Sequence, residues 1–193
     1  MLSSLQEAAL FLVEVSFEFY IMMLVLRLVL HLIGADYYHP LCQFVAKLTR
    51  PVIAPMQRFF PIVKNIDLSV VALIIVLEML KVSLVFLIKG EAIHHTFGLL
   101  VYAFGDFLDQ IVTIYFYGIL LQIIMSWVRP SYNPMIDILY RITNPLMHPV
   151  QRILPPVGGI DISPIPVMLG LKLFEIMVTY PMIRVGQGLA LMP

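Results

Sequence analysis

The sequence predicts an all-α membrane protein, with four transmembrane helices arranged as two repeats of helix, amphipathic proline-rich loop and helix. Three observations predict it. The chain has an apolar excess too large for a soluble domain, four stretches long enough to cross a bilayer, and an ungapped internal repeat. Of 193 residues, 61% are apolar and 12% charged, with mean hydropathy +0.95. A soluble domain carries about twice that share of charge and nearer half apolar residues. The surplus needs lipid as its solvent, so the bilayer is the first partner implied.

A spanning helix needs about 20 mostly apolar residues. Four stretches qualify, at about 8–33, 70–88, 111–128 and 165–183. The residues before the first hold Glu7 and no Lys or Arg, whereas a secretory leader starts basic, so this stretch reads as a retained helix. Between the second and third, the apolar run 97–104 is flanked by Glu91, His94, His95, Asp106 and Asp109. That run is too short to span. It reads as a loop with an interfacial segment or as an early start of the third helix, and a fifth span is the remaining alternative.

Lys and Arg placement orients the chain. The loop after the first span holds Lys47, Arg50, Arg58 and Lys64, and the loop after the third holds Arg129, Arg141 and Arg152. The opposite side holds Lys89 and Arg184. Seven against two places both long loops in the cytoplasm and both termini outside.

An offset of 94 lays residues 38–69 on residues 132–163 without a gap, with 12 of 32 positions identical. Chance matching at roughly 6% per position gives about two, so the chain is internally repeated. The shared residues are Tyr38, Pro40, Thr49, Pro51, Pro55, Gln57, Arg58, Pro61, Val63, Ile66, Asp67 and Ser69 with their counterparts 94 positions on. The units are expected at 8–89 and 108–184, with a linker at 90–107. Both spans of a unit tolerate any lipid-soluble side chain, whereas the loop keeps particular residues and so requires a particular shape.

Part of that shape is legible. Leu41, Phe44, Val45 and Leu48 recur at helical spacing opposite Gln43 and Lys47, and Met135, Ile138, Leu139 and Ile142 repeat the stripe opposite Asp137 and Arg141. Short amphipathic helices at the membrane surface follow. Pro51 and Pro145 are expected to end them, because the residue before proline is pushed out of helical conformation. A second short helix then starts at each, weakened by Pro55 and Pro149 and stopped by Pro61 and Pro155. Asp67 and Asp161 stand where N-caps of the next spans belong. A surface helix–turn–helix is one reading of the loop. A re-entrant element, tolerated only where its backbone faces protein or water, is the other.

The pattern NP followed by TxPxxxPxxRxxPxxxxIDxS resembles the YggT family, the YlmG and plastid CCB group. The first copy reads His39-Pro40, Thr49, Pro51, Pro55, Arg58, Pro61, Ile66, Asp67 and Ser69. The second reads Asn133-Pro134, Thr143, Pro145, Pro149, Arg152, Pro155, Gly158-Gly159-Ile160-Asp161 and Ser163-Pro164, preceded by Ser126-Trp127. The first copy departs at His39, Lys64-Asn65 and Val70, and lacks the Ser-Trp pair. The resemblance covers essentially the whole chain. It implies a small, non-enzymatic protein of the bacterial inner membrane. Bacterial members are linked to osmotic-stress tolerance and cation balance, and some are encoded beside division genes. Plastid relatives look like factors for cytochrome cofactor assembly, organelle division or nucleoid distribution.

Charges inside the spans are the other candidate site. Glu78 and Lys81 sit near the middle of the second span, Lys172 and Glu175 near the middle of the fourth. The offset of 94 maps Glu78 on Lys172 and Lys81 on Glu175, the same positions with signs exchanged. A charge at mid-bilayer costs about 2.5–3.5 kcal/mol on insertion scales, so pairing is required. The i, i+3 spacing pairs each within its helix. Parallel repeats also place Glu78 level with Lys172 and Lys81 level with Glu175, so one four-charge cluster at the repeat interface is expected. It reads as a lock that registers the two halves, with a proton or cation pathway as the alternative. Glu14, Glu18 and Arg27 in the first span are secondary candidates. Arg27 is expected to snorkel to the headgroups. Glu14 and Glu18 are expected to snorkel outward or to accept hydrogen bonds from Gln122 and Ser126.

Other chemistry finds no pattern. Cys42 is the single cysteine, and His94-His95 with Glu91, Asp106 and Asp109 lacks ligand spacing, so no metal site is expected. His31, His39 and His148 do not match across the repeat, which argues against a symmetric haem site. No phosphate loop, GxSxG or HExxH occurs, and neither enzyme activity nor a cofactor is expected. Net charge is zero, which gives no general attraction to nucleic acid. The remaining partners are another membrane protein or further copies of the chain.

Overall fold

The computed structural model describes residues 3–58, 62–63, 66–128, 134–154 and 161–192. Pro61 and Pro155 of the loop motif, with Lys64-Asn65, Arg129, Asn133 and Gly158-Gly159, lie outside them. Among the described residues, four helical segments are long and apolar enough to cross a membrane: Ser4–Leu32, Leu68–Lys89, Thr96–Trp127 and Pro164–Leu191. At about 1.5 Å per residue each exceeds the ~30 Å hydrocarbon core.

Helix α1 (Ser4–Leu32) starts at a reciprocal cap, with the Gln6 amide donating to Ser3 Oγ (3.3 Å) and the Ser3 amide to Gln6 Oε1 (2.8 Å). Helix α2 (Pro40–Met56) follows, then a two-residue antiparallel pairing of Ile62–Val63 with Ile66–Asp67. Helix α3 (Leu68–Lys89) starts on Asp67 and closes at Gly90, whose φ of 75° lets the Glu91 amide reach Phe86 O.

Residues 91–95 make the next connection, and α4 (Thr96–Val128) begins at once. The apolar run 97–104 is therefore the early start of the third span. Helix α5 (Pro134–Ile153) is the counterpart of α2. The fourth span is continuous but compound: α6 (Pro164–Phe174), a π-helical turn (Glu175–Thr179) and α7 (Tyr180–Leu191). Pro181 lacks the amide that would continue the α-helical ladder, and the widened turn immediately before it absorbs the defect.

Prolines do not divide the loop helices. α2 runs unbroken through Pro51 and Pro55, and α5 through Pro145 and Pro149. The expected break and second short helix at Pro51 and Pro145 are corrected. Two residues before each of these prolines, a threonine hydroxyl bonds back to the helix, Thr49 to Val45 O (2.7 Å) and Thr143 to Leu139 O (3.1 Å). The apolar stripes also shift. The protein-facing line of α2 is Cys42, Val45, Thr49 and Ile53, with Phe44 exposed; that of α5 is Ile138, Ile142, Thr143 and Met147, with Met135 exposed. In lipid an apolar stripe marks the solvent face as well as the core, so periodicity alone does not single out the buried side.

α3 packs against α1 on one side and α4 on another, while α4 runs antiparallel along α7. The α4–α7 contact is backbone to backbone. A Cβ on Gly98 would stand 2.2 Å from Ala190 N, and one on Gly186 2.4 Å from Tyr102 N. Small residues permit this approach, which drives association where lipid is as apolar as leucine. At the loop end, Val29 and Leu30 of α1, Cys42 and Val45 of α2, and Ile138 and Ile142 of α5 form one cluster. His39 reinforces it. Its Nδ1 accepts from the Leu41 amide (3.2 Å), which leaves Nε2 to donate to Pro134 O (3.1 Å) and ties the start of α2 to the start of α5.

Candidate functional site

The repeated loop residues build the same device twice. Asp67 Oδ1 accepts from the Ser69 amide (3.0 Å) and its Oδ2 from Gln57 Nε2 (3.1 Å). Asp161 does the same with the Ser163 amide (2.9 Å) and Gln151 Nε2 (2.9 Å). Asp67 is the N-cap of α3, whereas Ser163 takes the N-cap position of α6 and Asp161 holds its amide from two residues upstream, which corrects the expected cap; both carboxylates latch the end of the loop helix to the start of a span. Burial raises the Asp161 carboxyl, but the bonds from Ser163 and Gln151 outweigh it and hold that group below the usual carboxylate range.

A second device holds the middle of each loop helix. Thr49 accepts from Arg27 Nη1 (2.8 Å), and the Thr143 hydroxyl is bonded to the Gln122 side-chain amide (2.5 Å); both threonines are fully buried. Arg27 therefore turns to the loop helix, where the Thr49 hydroxyl takes the place of the headgroup partner that snorkelling would supply. Pro51, Pro55, Arg58, Pro145, Pro149 and Arg152 all face outward, so each unit presents a proline–arginine surface supported from behind by the threonine and aspartate bonds.

The intramembrane charges do not form one cluster. Lys81 Nζ lies 2.8 Å from Glu78 Oε2 and 2.5 Å from Asp106 Oδ2, and Gln110 Nε2 donates to Glu78 Oε1 at 2.6 Å. Glu78 is 0% exposed. In the other unit Lys172 Nζ meets Glu175 Oε2 at 2.6 Å, Tyr180 bonds the other Glu175 oxygen, and Thr179 donates to Asp109 Oδ1 at 2.8 Å. Glu78 and Lys81 thus find α4 rather than Lys172 and Glu175, because α4 stands against α3 with its own carboxylate and amide. This corrects the expected four-charge cluster.

The partners that sequence reasoning missed are Asp106, Gln110, Asp109, Thr179 and Tyr180. A signal existed: Asp106, Asp109 and Gln110 recur at i, i+3, i+4, the spacing that marks Glu78 and Lys81. They depress hydropathy just ahead of residue 111, where the third apolar stretch begins, and so do not read as part of a span.

Glu14 and Glu18 are exposed and do not meet Gln122 or Ser126, which bond to Thr143 and to Ile123 O. α1 and α4 both run antiparallel to α3 and so parallel to each other, which puts those donors, near the end of α4, at the opposite end of the bundle from carboxylates near the start of α1. The two carboxylates instead border a cavity of about 170 Å³ with Lys81, Lys89, Tyr102 and Asp106. Cys42 is buried, and burial pushes its thiol above the ordinary value. Among the described residues no group of His, Cys, Asp and Glu is placed to hold a metal.

The doubled device corresponds to a doubled match. The CCB3/YggT family model matches residues 6–88 and again residues 101–182. The chain belongs to the CCB3/YggT family. Among family relatives, an uncharacterized protein of Pseudomonas aeruginosa is 32% identical over 176 residues, 90% of this chain and 89% of that one. The uncharacterized protein YggT of Escherichia coli K12 is 34% identical over 160 residues, 82% of each chain. An uncharacterized protein encoded in the proC 3′ region of Vibrio alginolyticus is 34% identical over 163 residues, 84% of this chain and 88% of the other. No solved structure matches this YggT-family chain.

Proposed function

We propose that the chain is a non-enzymatic scaffold or assembly factor of a bacterial inner membrane. Its α2 and α5 face the cytoplasm and both termini lie outside. The charge at Glu78 carries this reading. It is sealed from solvent and bonded across α3 and α4 by Lys81 and Gln110, as a registering lock requires and a permeation path does not. The duplicated proline–arginine surfaces then offer two matching sites for a cytoplasmic or membrane partner. Osmotic-stress tolerance, cation balance or envelope and division processes are the settings that family membership suggests.

A second reading, a small ion or solute pathway, draws on the cavity bordered by Glu14, Glu18, Lys81 and Asp106. Two experiments separate them. Purified protein in proteoliposomes should pass no K⁺, Na⁺ or H⁺ above the protein-free rate. A strain lacking the protein should be complemented by Glu78→Leu/Lys81→Met/Asp106→Leu and not by Arg58→Ala/Arg152→Ala. Flux above background, lost in the charge-free variant, would replace the scaffold reading by the pathway.

A further inference from the structure

The fourth span turns a stripe of Ile165, Leu169, Lys172 and Ile176 outward, with the Lys172 side chain 47% exposed. An ammonium group in a spanning helix is poorly solvated by acyl chains, and Glu175 with the Phe116 ring at 4.8 Å covers only one side of it. The opposite deficit lies on α1. Glu14 and Glu18 are exposed beside Phe11, at the rim of the cavity they share with Lys81 and Lys89, and among the described residues no basic group lies within 4.0 Å of either carboxylate.

The internal repeat relates these two faces. It carries α1 on α4 and α3 on the fourth span. Within the chain, the α3 face bearing Glu78 and Lys81 is covered by the α4 face bearing Asp106 and Gln110. Applied once more, the same step covers the fourth-span face bearing Lys172 and Glu175 with an α1, and that α1 belongs to another copy. The faces agree in rotation. α4 turns Gly98 and Gly105 to α7 and, about a quarter-turn on, Asp106 and Gln110 to α3. α1 turns Ile21, Leu24 and Leu28 to α3 and, about a quarter-turn on in the same sense, presents Glu14 and Glu18. In height alone the level agrees too, since the offset of 94 sets Gln110 on Ser16, which lies between the two glutamates along α1 but about 200° around it from each.

We propose that copies of this chain associate head to tail in the bilayer, the fourth span of one against α1 of a second copy, with Lys172 meeting Glu14 and Glu18 of that copy. The exchanged signs in the two units then have a cause. Position 78 faces an amide within its own chain and position 172 faces carboxylates. Such an interface is heterologous, so each copy uses one face toward one neighbour and a different face toward the next.

The test co-expresses two differently tagged copies in membranes and measures their co-purification in nanodiscs. Copies carrying Glu14→Lys/Glu18→Lys, or copies carrying Lys172→Glu, should each co-purify with themselves about tenfold less than parent copies. Mixing one kind with the other should restore the yield, because both of their shared interfaces then join opposite charges. If a charge variant fails to fold, a cysteine pair decides. A Phe11→Cys copy with an Ile176→Cys copy should form a disulfide dimer under oxidant that neither forms alone. Undiminished self-association of the charge variants, absence of rescue between folded variants, a Phe11→Cys dimer formed alone, or a monomeric parent chain would overturn the proposal.

Discussion

The two units hold equivalent charges in unequal surroundings. Glu78 and Lys81 are enclosed by α4, with side chains 0% and 6% exposed, whereas Lys172 is 47% exposed and only Glu175 (8%) is covered. The difference arises from position in the chain. The first unit is followed by a helix that brings Asp106 and Gln110 to its charges; among the described residues no helix covers the outward side of Lys172. Repetition supplied two similar charged helices, and the junction between units decided which became core.

Removing the lysine from each unit sharpens that comparison most. Lys81→Met leaves Glu78 and Asp106 facing each other without a cation and should cost about 3–5 kcal/mol in an unfolding titration in lipid. Lys172→Met in the isolated chain should stay within about 1 kcal/mol. The α4–α7 contact ranks next. Gly186→Ala or Gly98→Ala forces two backbones apart and should cost about 1–3 kcal/mol or more by thermal unfolding. Gly170→Ala meets nothing within 4 Å and should be neutral or stabilising by up to about 1 kcal/mol.

The loop threonines come third. Thr49→Val strands the Arg27 donor and should cost about 1–3 kcal/mol, while Thr143→Val strands a neutral amide and should cost about 1 kcal/mol. The smallest effect concerns Asp161. Its carboxyl is held below the ordinary range, so its contribution is complete above that range and is lost as pH falls through the lowered value. Hydrogen exchange at the Ser163 amide should accelerate on acidification, and Asp161→Asn should remove the pH dependence.

The four spans and the repeat were legible because bilayer thickness fixes span length and because the loops retained side chains that bond to specific partners. Asp67 as a helix start was legible for the same reason, whereas the N-cap position of α6 falls on Ser163, two residues after Asp161. The continuity of α2 and α5 was not, since proline statistics cannot register a threonine that bonds back to the helix beside each break. Nor was the extension of α4, whose Asp106, Asp109 and Gln110 look like loop residues until Lys81, Thr179 and Glu78 are seen to satisfy them. Equal depth predicted that Glu78 would meet Lys172, but depth carries no information about rotation around the bundle, and rotation chose α4.

The central claim is that Glu78, Lys81 and Asp106 form a lock between the units, with Glu78 sealed inside it. It is tested most directly by comparing Lys81→Met with the all-apolar Glu78→Leu/Lys81→Met/Asp106→Leu chain in nanodiscs. Apolar replacement of a complete buried charge group is often neutral, whereas breaking it strands a charge. The triple variant should therefore recover most of the stability lost by Lys81→Met. A Lys81→Met chain as stable as the parent would contradict the lock.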